Sequence, residues 1–162
     1  MNIYTTDKIR NVVLLGHGGS GKTSLAEAFG YLSGITSRMG KVDDGNTLSD
    51  YSKEEQKRHF SISTSVIPIE WEGYKINIID TPGYFDFVGE VEEAVSAAGA
   101  AIIVVNGKSG IEVGTQKAWE LCEKYKLPRF IYVSNMDVDN ASFRQVVEDL
   151  SLIHISEPTR LL

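Results

Sequence analysis

The sequence predicts an α/β fold, a mostly parallel β-sheet with helices on both faces. Short apolar runs alternate with segments whose apolar residues recur at helical spacing, an order typical of strands connected by helices. A glycine-rich stretch, GHGGSGKT, follows the first apolar run and precedes the first helical segment. A later apolar run ends in Asp80, and open α/β sheets bind their ligands at the carboxyl ends of strands.

The first strand and the first helix flank the glycine-rich stretch. Residues 12–15, VVLL, form a continuous apolar run that suits a strand buried on both faces. The helix is predicted from apolar residues three or four positions apart and ends near Gly34. Those apolar residues are Leu25, Ala28, Phe29 and Leu32.

The next part of the chain is polar and then apolar again. Residues 41–58 carry a KEEQKR cluster without an apolar stripe, which favours a solvated loop or helix face. Residues 62–71 and 74–79 are predicted to form two strands joined by a tight turn at Glu72 and Gly73. Pro68 assigns the first of these strands to the edge of the sheet, because proline lacks the N–H that a central strand donates.

Two further strand and helix pairs complete the pattern. AAIIVVN at 100–106 and FIYVS at 130–134 are predicted buried strands, and the final helix is predicted to be capped by Asp139 or Asn140. We predict the strand order 2-3-1-4-5, with the strands at 12–15 and 101–105 central, because those two runs are apolar throughout. The helices are predicted from Val88, Val91, Val95 and Ala98, then Thr115, Ala118, Trp119, Cys122 and Tyr125, then Phe143, Val146, Val147 and Leu150.

Length and composition restrict the class of protein. The chain has 162 residues, enough for one domain with a sizeable core, and its net charge of −6 argues against binding nucleic acid by itself. Cys122 is the only cysteine, which excludes an internal disulfide and a cysteine-rich zinc site. The polar N-terminus lacks a signal-peptide core, and no apolar run reaches the length of a membrane span. We predict a soluble, cytoplasmic protein.

The last residues are predicted not to be native. LSLIHISEPTR at 150–160 is the translation of a nucleotide string that resembles the adapter of transposon-based sequencing libraries. We therefore divide the chain into a native part, residues 1–149, and an adapter-derived tail, residues 150–162, of which only Leu150 should contribute to the core. The alternative is a short final strand, LSLIHI.

The glycine-rich stretch matches the phosphate-binding pattern G-x-x-x-x-G-K-[ST] between a strand and a helix. Its glycines allow backbone N–H groups to approach phosphate oxygens, while Lys22 can neutralise phosphate charge and the Thr23 hydroxyl can bind Mg²⁺. The alternative is a glycine-rich turn with an incidental Lys-Thr pair. The predicted nucleotide-binding residues here are Gly16, His17, Gly18, Gly19, Ser20, Gly21, Lys22 and Thr23.

The stretch DTPG, residues 80–83, is predicted to sense the terminal phosphate. Asp80 can hold Mg²⁺ through water, and Gly83 supplies both an N–H for the phosphate and a backbone that can move when the phosphate leaves. Thr81 and Pro82 complete the predicted nucleotide-binding turn. DTPG alone is an ordinary turn sequence and gains this meaning from the phosphate-binding loop before it.

Residues 11–149 resemble the G domain of the elongation factor G family of translational GTPases. The resemblance is carried by GHGGSGKTSLAEAF and INIIDTPGYFDFVGEVEEA, and GYFDFVGEV and VGTQKAW are closest to the divergent second group of elongation-factor-G-like paralogues. Ribosomal protection proteins of the tetracycline-resistance type are similar. The resemblance implies a P-loop NTPase G domain that uses GTP, GDP and Mg²⁺ and whose full-length protein acts with the ribosome. It also implies that the domain is truncated before its last strand and helix, which would leave an unprotected edge beside 130–133 that is prone to association.

This chain departs from the family pattern at three places. The family's R-G-I-T-I is RHFSI here, so the resemblance makes Ser61 a metal ligand beside Thr23 and Asp80. The guanine-reading N-K-M-D is SNMD, in which Asp137 can still accept hydrogen bonds from guanine; an alternative is that this stretch simply ends a strand. The predicted base-binding residues are Ser134, Asn135, Met136 and Asp137.

The third departure is Tyr84, which replaces the family's histidine beside the attacking water. Tyr84 is therefore the candidate catalytic residue, with a hydroxyl that positions water, or else its ring packs with Phe85 and Phe87 as a hydrophobic gate. A ribosome-associated GTPase is the leading hypothesis. A non-hydrolysing, GTP-dependent interaction module is the second. A P-loop kinase ranks last, because arginine is sparse between Gly40 and Phe130.

Overall fold

The computed structural model describes residues 3–156, apart from the side chains of Phe85 and of residues 154–156. Two short 3₁₀ segments lie at Thr6–Lys8 and Phe85–Phe87. The strands and helices, in chain order, are β1 (Ile9–Leu15), α1 (Lys22–Leu32), α2 (Lys53–Arg58), β2 (Ser65–Trp71), β3 (Tyr74–Asp80), α3 (Val88–Ala97), β4 (Ala100–Asn106), α4 (Val113–Lys124), β5 (Arg129–Ser134) and α5 (Phe143–Ser156).

The five strands form one sheet in the order β2-β3-β1-β4-β5, which confirms the predicted order and the central places of β1 and β4. β1 runs parallel to β3 and β4, and Val13 pairs with Ile79 on one side and with Ala101 on the other. β4 and β5 are also parallel, whereas β2 is antiparallel to β3. Pro68 lies in β2, at the edge of the sheet, as its missing N–H predicts.

The core has one cluster on each face of the sheet. On one face, Val13, Leu15 and Ile103 pack with residues of α3, α4 and α5, including the buried Trp119. On the other face, Leu14 packs with residues of α1, β2 and β3. Because alternate residues of a strand point to opposite faces, a continuous apolar run such as VVLL supplies both clusters. The predicted fold class, helices on both faces of a mostly parallel sheet, is confirmed.

The polar stretch at 41–58 is more ordered than its composition suggests. It contains α2, whose N-terminus is closed by a capping box between Ser52 and Glu55, a pairing that satisfies two free N–H groups of the first turn. Asp50 and Glu55 are buried, so the prediction of a simply solvated segment is wrong for these two carboxylates.

The C-terminal residues form a helix, so the alternative of a short final strand is wrong. α5 continues to Ser156, and Ile153 packs against the core cluster together with Leu150, although only Leu150 was expected there. The Ser142 hydroxyl accepts a hydrogen bond from the Gln145 N–H and caps the helix, instead of Asp139 or Asn140. Residues 157–162 of the predicted tail lie outside the described part of the chain, and the non-native origin of the tail stays a prediction.

β5 forms the other edge of the sheet and exposes apolar side chains. Phe130 is 71% exposed, and Ile131 and Tyr132 are also partly open to solvent. An edge strand with apolar side chains is a template for pairing, so association through this edge stays a prediction. Within residues 3–156, the helices are too short or too polar to cross a membrane.

Candidate nucleotide-binding site

The glycine-rich loop connects β1 to α1 and lies close to β4. Gly16 has a φ of 143°, and a Cβ at this position would collide with the carbonyl oxygen of Val104. Gly21, the residue before α1, has a φ of 95°, in the region that favours glycine. The loop therefore brings its backbone to the N-terminal end of α1, where the free N–H groups and the helix dipole attract anions.

Lys22 is buried beside this loop. Its ammonium donates to the carbonyl oxygens of Gly16 and His17 at 3.1 and 2.8 Å. Burial lowers the pKa of Lys22 to about 8, although attraction to Asp80 and Glu112 raises it. A cation held in this way has lost much of its hydration, so an anion in the loop would interact with it strongly.

The three predicted metal-binding residues lie together. The Thr23 hydroxyl donates to a carboxylate oxygen of Asp80 at 2.8 Å, and it lies 3.2 Å from the Ser61 hydroxyl. Thr23 lies in the first turn of α1, Asp80 ends β3, and Ser61 lies between α2 and β2. The fold therefore brings oxygens from three distant parts of the chain to one point.

Asp50 adds a second carboxylate that the sequence analysis missed. Asp50 is 3% exposed and Asp80 1%, and each keeps one buried oxygen without a hydrogen-bond partner among residues 3–156. Burial raises the pKa of Asp50, although the Ser61 and Thr47 hydroxyls lower it. Asp50 was missed because it lies in a polar stretch without a periodic pattern.

This set of oxygens fits Mg²⁺. Magnesium prefers oxygen ligands and is commonly bound by one or two carboxylates together with phosphates and water. In the described part of the chain, no group of three or more His, Cys, Asp or Glu side chains could hold a metal by itself. Thr23, Ser61, Asp50 and Asp80 would therefore hold the ion jointly with the phosphates of a nucleotide.

Asp80→Asn is expected to stabilise the ligand-free chain at neutral pH. Burial raises the pKa of Asp80 from 3.8 to about 6, although the Thr23 hydroxyl and the Lys22 ammonium lower it. The folded state therefore binds the proton more tightly than the unfolded state, and stability is lost as the pH rises from about 4 to 6. Asparagine keeps the acceptor for Thr23 without the charge, so we expect the melting temperature at pH 7 to rise by about 3 °C.

Thermal melts at pH 7 and pH 4 test this expectation. The gain from Asp80→Asn should be present at pH 7 and should vanish near pH 4, where the native carboxyl is already neutral. Asp86→Asn, at an exposed aspartate, is the matched control and should change neither melt. A loss of stability at pH 7 would show that the charge of Asp80 stabilises the fold.

The turn after β3 lies directly against the glycine-rich loop. The Thr81 hydroxyl donates to the Leu14 carbonyl at 2.6 Å and fixes the start of the turn next to β1. A Cβ on Gly83 would lie 2.6 Å from the Lys22 Nζ and 2.7 Å from the backbone nitrogen of Gly18, so only glycine fits. Pro82 lies between Thr81 and Gly83 in the chain and is buried.

Tyr84 closes one side of the site. Its ring lies against Gly18 and contacts the Phe60 ring, with 4.8 Å between the centroids and 56° between the planes. The ring contact that the structure describes is with Phe60, which the sequence analysis did not predict. The side chain of Phe85 lies outside the description, so the predicted packing of Tyr84 with Phe85 stays a prediction. Tyr84 is 47% exposed, so its hydroxyl can reach water.

These elements surround a cavity of about 400 Å³. Its walls come from the glycine-rich loop, the start of α1, the segment around Asp50 and Ser61, and the turn that ends in Tyr84. Gly18, Gly19 and Gly21 line it together with Lys22 and Thr23. Ser61 and Gly83 line the same cavity, whereas Asp80 does not line it and reaches it only through its hydrogen bond with Thr23.

His17 points away from this cavity toward α4. The Gly114 N–H donates to its Nδ1 at 3.3 Å, and its Nε2 lies 3.6 Å from a Glu112 carboxylate oxygen. A Cβ on Gly114 would collide with the backbone of His17. The first turn of α4 thus supports the glycine-rich loop, a role that the sequence analysis did not assign to Glu112 or Gly114.

The predicted base-binding residues do not line the phosphate cavity, although Ser134 lies directly behind the glycine-rich loop. The Ser134 hydroxyl donates to the Ser20 carbonyl at 2.6 Å and joins the end of β5 to the glycine-rich loop. Asn135 has a φ of 52°, and Asn135, Met136 and Asp137 are exposed. Ser134 thus holds the loop, and Asp137 is available to meet a base at the surface.

Comparisons with known proteins find a matching family and similar sequences. The family described as "Elongation factor Tu GTP binding domain" matches residues 7–158. Elongation factor G 2 of Borreliella afzelii is 41% identical over 142 residues, which cover 88% of this chain and 21% of that protein. Mitochondrial ribosome-releasing factor 2 of Rattus norvegicus is 38% identical over 143 residues, which cover 88% of this chain and 18% of that protein.

Solved structures show the same similarity. A protein of Thermus thermophilus matches with a TM-score of 0.85 and 40% identity, over 88% of this chain and 22% of that one. A bacterial selenocysteine-specific elongation factor matches with a TM-score of 0.73 and 23% identity, over 93% of this chain and 24% of that one, and supports the fold alone. The chain spans about a fifth of the length of the curated relatives it matches.

Proposed function

We propose that this chain, which belongs to the family of the elongation factor Tu GTP binding domain, binds GTP with Mg²⁺ and hydrolyses the GTP when a ribosome stimulates it. The predicted resemblance to the elongation factor G family is confirmed by relatives that carry that name and the name ribosome-releasing factor 2. Association with the ribosome is proposed for the full-length protein. Cytoplasmic location stays a prediction, since several relatives are named mitochondrial.

One observation carries the proposal: Thr23 contacts both Asp80 and Ser61, directly beside the buried Lys22. Lys22 would neutralise the outer phosphates, and the N–H groups of the loop and of Gly83 would bind their oxygens. Mg²⁺, when bound, would neutralise charge that develops between the two outer phosphates. The chain's own contribution is to hold these donors in place before the nucleotide arrives.

The proposal is tested by titrating the chain with fluorescent GTP and GDP, with and without Mg²⁺, followed by hydrolysis assays of a full-length protein with and without ribosomes. We expect binding that Mg²⁺ strengthens, slow hydrolysis alone and faster hydrolysis with ribosomes. A chain that binds neither nucleotide would contradict the nucleotide-binding assignment. Binding without any stimulated hydrolysis would favour the second candidate, a non-hydrolysing interaction module.

The second candidate is supported by the contact between Tyr84 and Phe60. Two aromatic rings beside the phosphate cavity could exclude the attacking water, so that GTP orders the segments around Ser61 and Gly83 without being cleaved. A partner would then recognise the GTP-bound form. A ribosomal protection protein, of the tetracycline-resistance type, is the alternative that keeps hydrolysis.

Guanine should be preferred over adenine through Asp137. A carboxylate that faces the N1–H and the amine of guanine forms two charge-assisted hydrogen bonds, which adenine cannot match, worth on the order of 2–3 kcal/mol. We expect Asp137→Ala to reduce GTP affinity by roughly 30-fold and to leave ATP affinity unchanged. Competition titrations with both nucleotides measure the change.

Asp139→Ala provides the control for this experiment, because Asp139 is also exposed and lies two positions further along the chain. It should leave the preference for GTP unaltered. Equal affinity for GTP and ATP in the unmutated chain would contradict the guanine assignment, whatever the effect of Asp137→Ala.

A further inference from the structure

Glu55 is a buried carboxylate in the middle of a charged helix. The other charged residues of KEEQKR are exposed, whereas Glu55 is only 2% exposed. Buried glutamates are uncommon unless their charge is satisfied. The burial of Glu55 therefore indicates a role beyond stabilising the short helix α2.

The carboxylate of Glu55 joins the two ends of the segment 52–63. One oxygen accepts the N–H groups of Ile62 and Ser63 at 3.0 and 3.1 Å, and the other accepts the Ser52 N–H at 3.1 Å. Burial raises the pKa of Glu55, but these hydrogen bonds outweigh it and hold the pKa below its ordinary value. The N–H groups of the segment thus bind Glu55 in its ionised form.

Residues inside the segment 52–63 face the candidate site. Ser61 directly precedes the two N–H groups that Glu55 holds, and its hydroxyl lies 3.2 Å from the Thr23 hydroxyl. Phe60, the preceding residue, contacts Tyr84. A side chain that fixes the backbone at 62 and 63 therefore also restrains the backbone position from which the Ser61 hydroxyl reaches Thr23.

A second buried glutamate holds the earlier part of the same connection. Glu27 lies on α1, one turn after Thr23, and accepts the N–H of Gly40 at 2.9 Å and the N–H of Leu48. A third carboxylate, that of Glu90, accepts the Thr64 N–H at 2.7 Å, so carboxylates hold the segment between α1 and β2 at three places. Of these three carboxylates, Glu55 is the one that accepts the N–H of Ile62, the residue directly after Ser61.

We propose that Glu55 is a positioning residue that sets the Ser61 hydroxyl at the metal side of the site, and so determines how strongly Mg²⁺ supports nucleotide binding. This inference rests on the proposed function, because it requires a nucleotide and Mg²⁺ at Thr23 and Asp80. It adds a residue that contacts neither the phosphates nor the metal. It also predicts that Glu55 orders the segment before any ligand binds.

The experiment compares Glu55→Ala with Glu54→Ala. Glu54 occupies the preceding position of α2, is exposed and pairs with Arg58 at the surface, so it controls for loss of a glutamate from this helix. Titrations with GTP in Mg²⁺ and in EDTA give the factor by which Mg²⁺ strengthens binding. We expect Glu55→Ala to reduce this factor about tenfold and to leave the affinity in EDTA unchanged, a size typical of coupling between sites.

Hydrogen exchange of the ligand-free chain provides a second measurement that does not depend on the metal. Glu55→Ala should remove the protection of the Ile62 and Ser63 N–H groups, whereas Glu54→Ala should retain it. Glu55→Gln keeps one acceptor oxygen without the charge and should give intermediate values in both measurements. If the alanine variant does not fold, Glu55→Gln decides the question.

The outcomes separate this inference from the proposed function. Unchanged Mg²⁺ dependence in Glu55→Ala, or an equal loss of affinity with and without Mg²⁺, overturns the positioning role while the proposed function stands. Wild-type binding of GTP that does not depend on Mg²⁺ contradicts the proposed function and the inference together. Retained protection at Ile62 and Ser63 in the alanine variant also overturns the inference.

Discussion

Lys22→Ala is expected to reduce the affinity for GTP and GDP by at least about 100-fold, because charge-assisted hydrogen bonds to phosphate are lost. The wild-type ammonium is buried against the glycine-rich loop and is held by the carbonyl groups of Gly16 and His17. It is therefore oriented before the nucleotide binds, and little freedom is lost when phosphate arrives. Fluorescent nucleotide titration measures the change directly.

The control is Lys57→Ala, at an exposed lysine of α2, which should not alter nucleotide affinity. The wild-type affinity should also fall as the pH rises through 8, because the pKa of Lys22 is lowered to about 8 and phosphate binds the protonated amine. Lys22→Ala should remove this pH dependence. A variant that stays folded, as judged by its thermal melt, and binds GTP as the wild type does would contradict the role of Lys22.

The sequence predicts the phosphate side of the site because that side is built locally. A loop rich in glycine between a buried strand and a helix has few alternative structures, and Lys22 and Thr23 follow it directly in the chain. Asp80 was found because it ends an apolar run, and parallel strands end at the same edge of the sheet. In both cases the residues are placed by the backbone pattern in which they lie.

The acidic residues that support this site could not be predicted in the same way. Asp50 and Glu55 lie in a stretch whose composition is that of a solvated surface, and burial of a carboxylate depends on N–H groups and hydroxyls from elsewhere in the fold. For Glu55 these are the N–H groups of Ile62 and Ser63. The pattern of polar and apolar residues predicts which apolar side chains pack together, but it does not predict which backbone N–H groups will bind a buried carboxylate.

The position of Phe60 was missed for a related reason. Phe60 is a single aromatic residue in a polar segment, and only the folded connection brings it to Tyr84. Sequence neighbours such as Phe87 are the natural candidates for packing with Tyr84, whereas Phe60 is 24 positions away in the chain. The contact with Phe60 bears directly on what Tyr84 does.

Tyr84→Phe is expected to reduce ribosome-stimulated GTP hydrolysis about 100-fold, because the loss of a group that orients the attacking water displaces the water from its reactive position. The tyrosine is next to Gly83, which lies against Gly18 and Lys22, and its side chain is partly exposed. A phenol is a poor base near pH 7, so positioning rather than proton removal is the contribution expected of it. GTP affinity should stay within about twofold of the wild type, since the ring that packs on Gly18 is kept.

The alternative, a purely hydrophobic gate, predicts a different pair of results. If only the ring matters, Tyr84→Phe should hydrolyse GTP as the wild type does, and Phe60→Leu, which weakens the ring contact of 4.8 Å, should accelerate hydrolysis without ribosomes. If the hydroxyl positions water, Phe60→Leu should instead slow the stimulated reaction, because Tyr84 loses its support. Single-turnover hydrolysis by a full-length protein with saturating ribosomes separates the two, with Tyr74→Phe, at an exposed tyrosine on β3, as the control that should change neither rate.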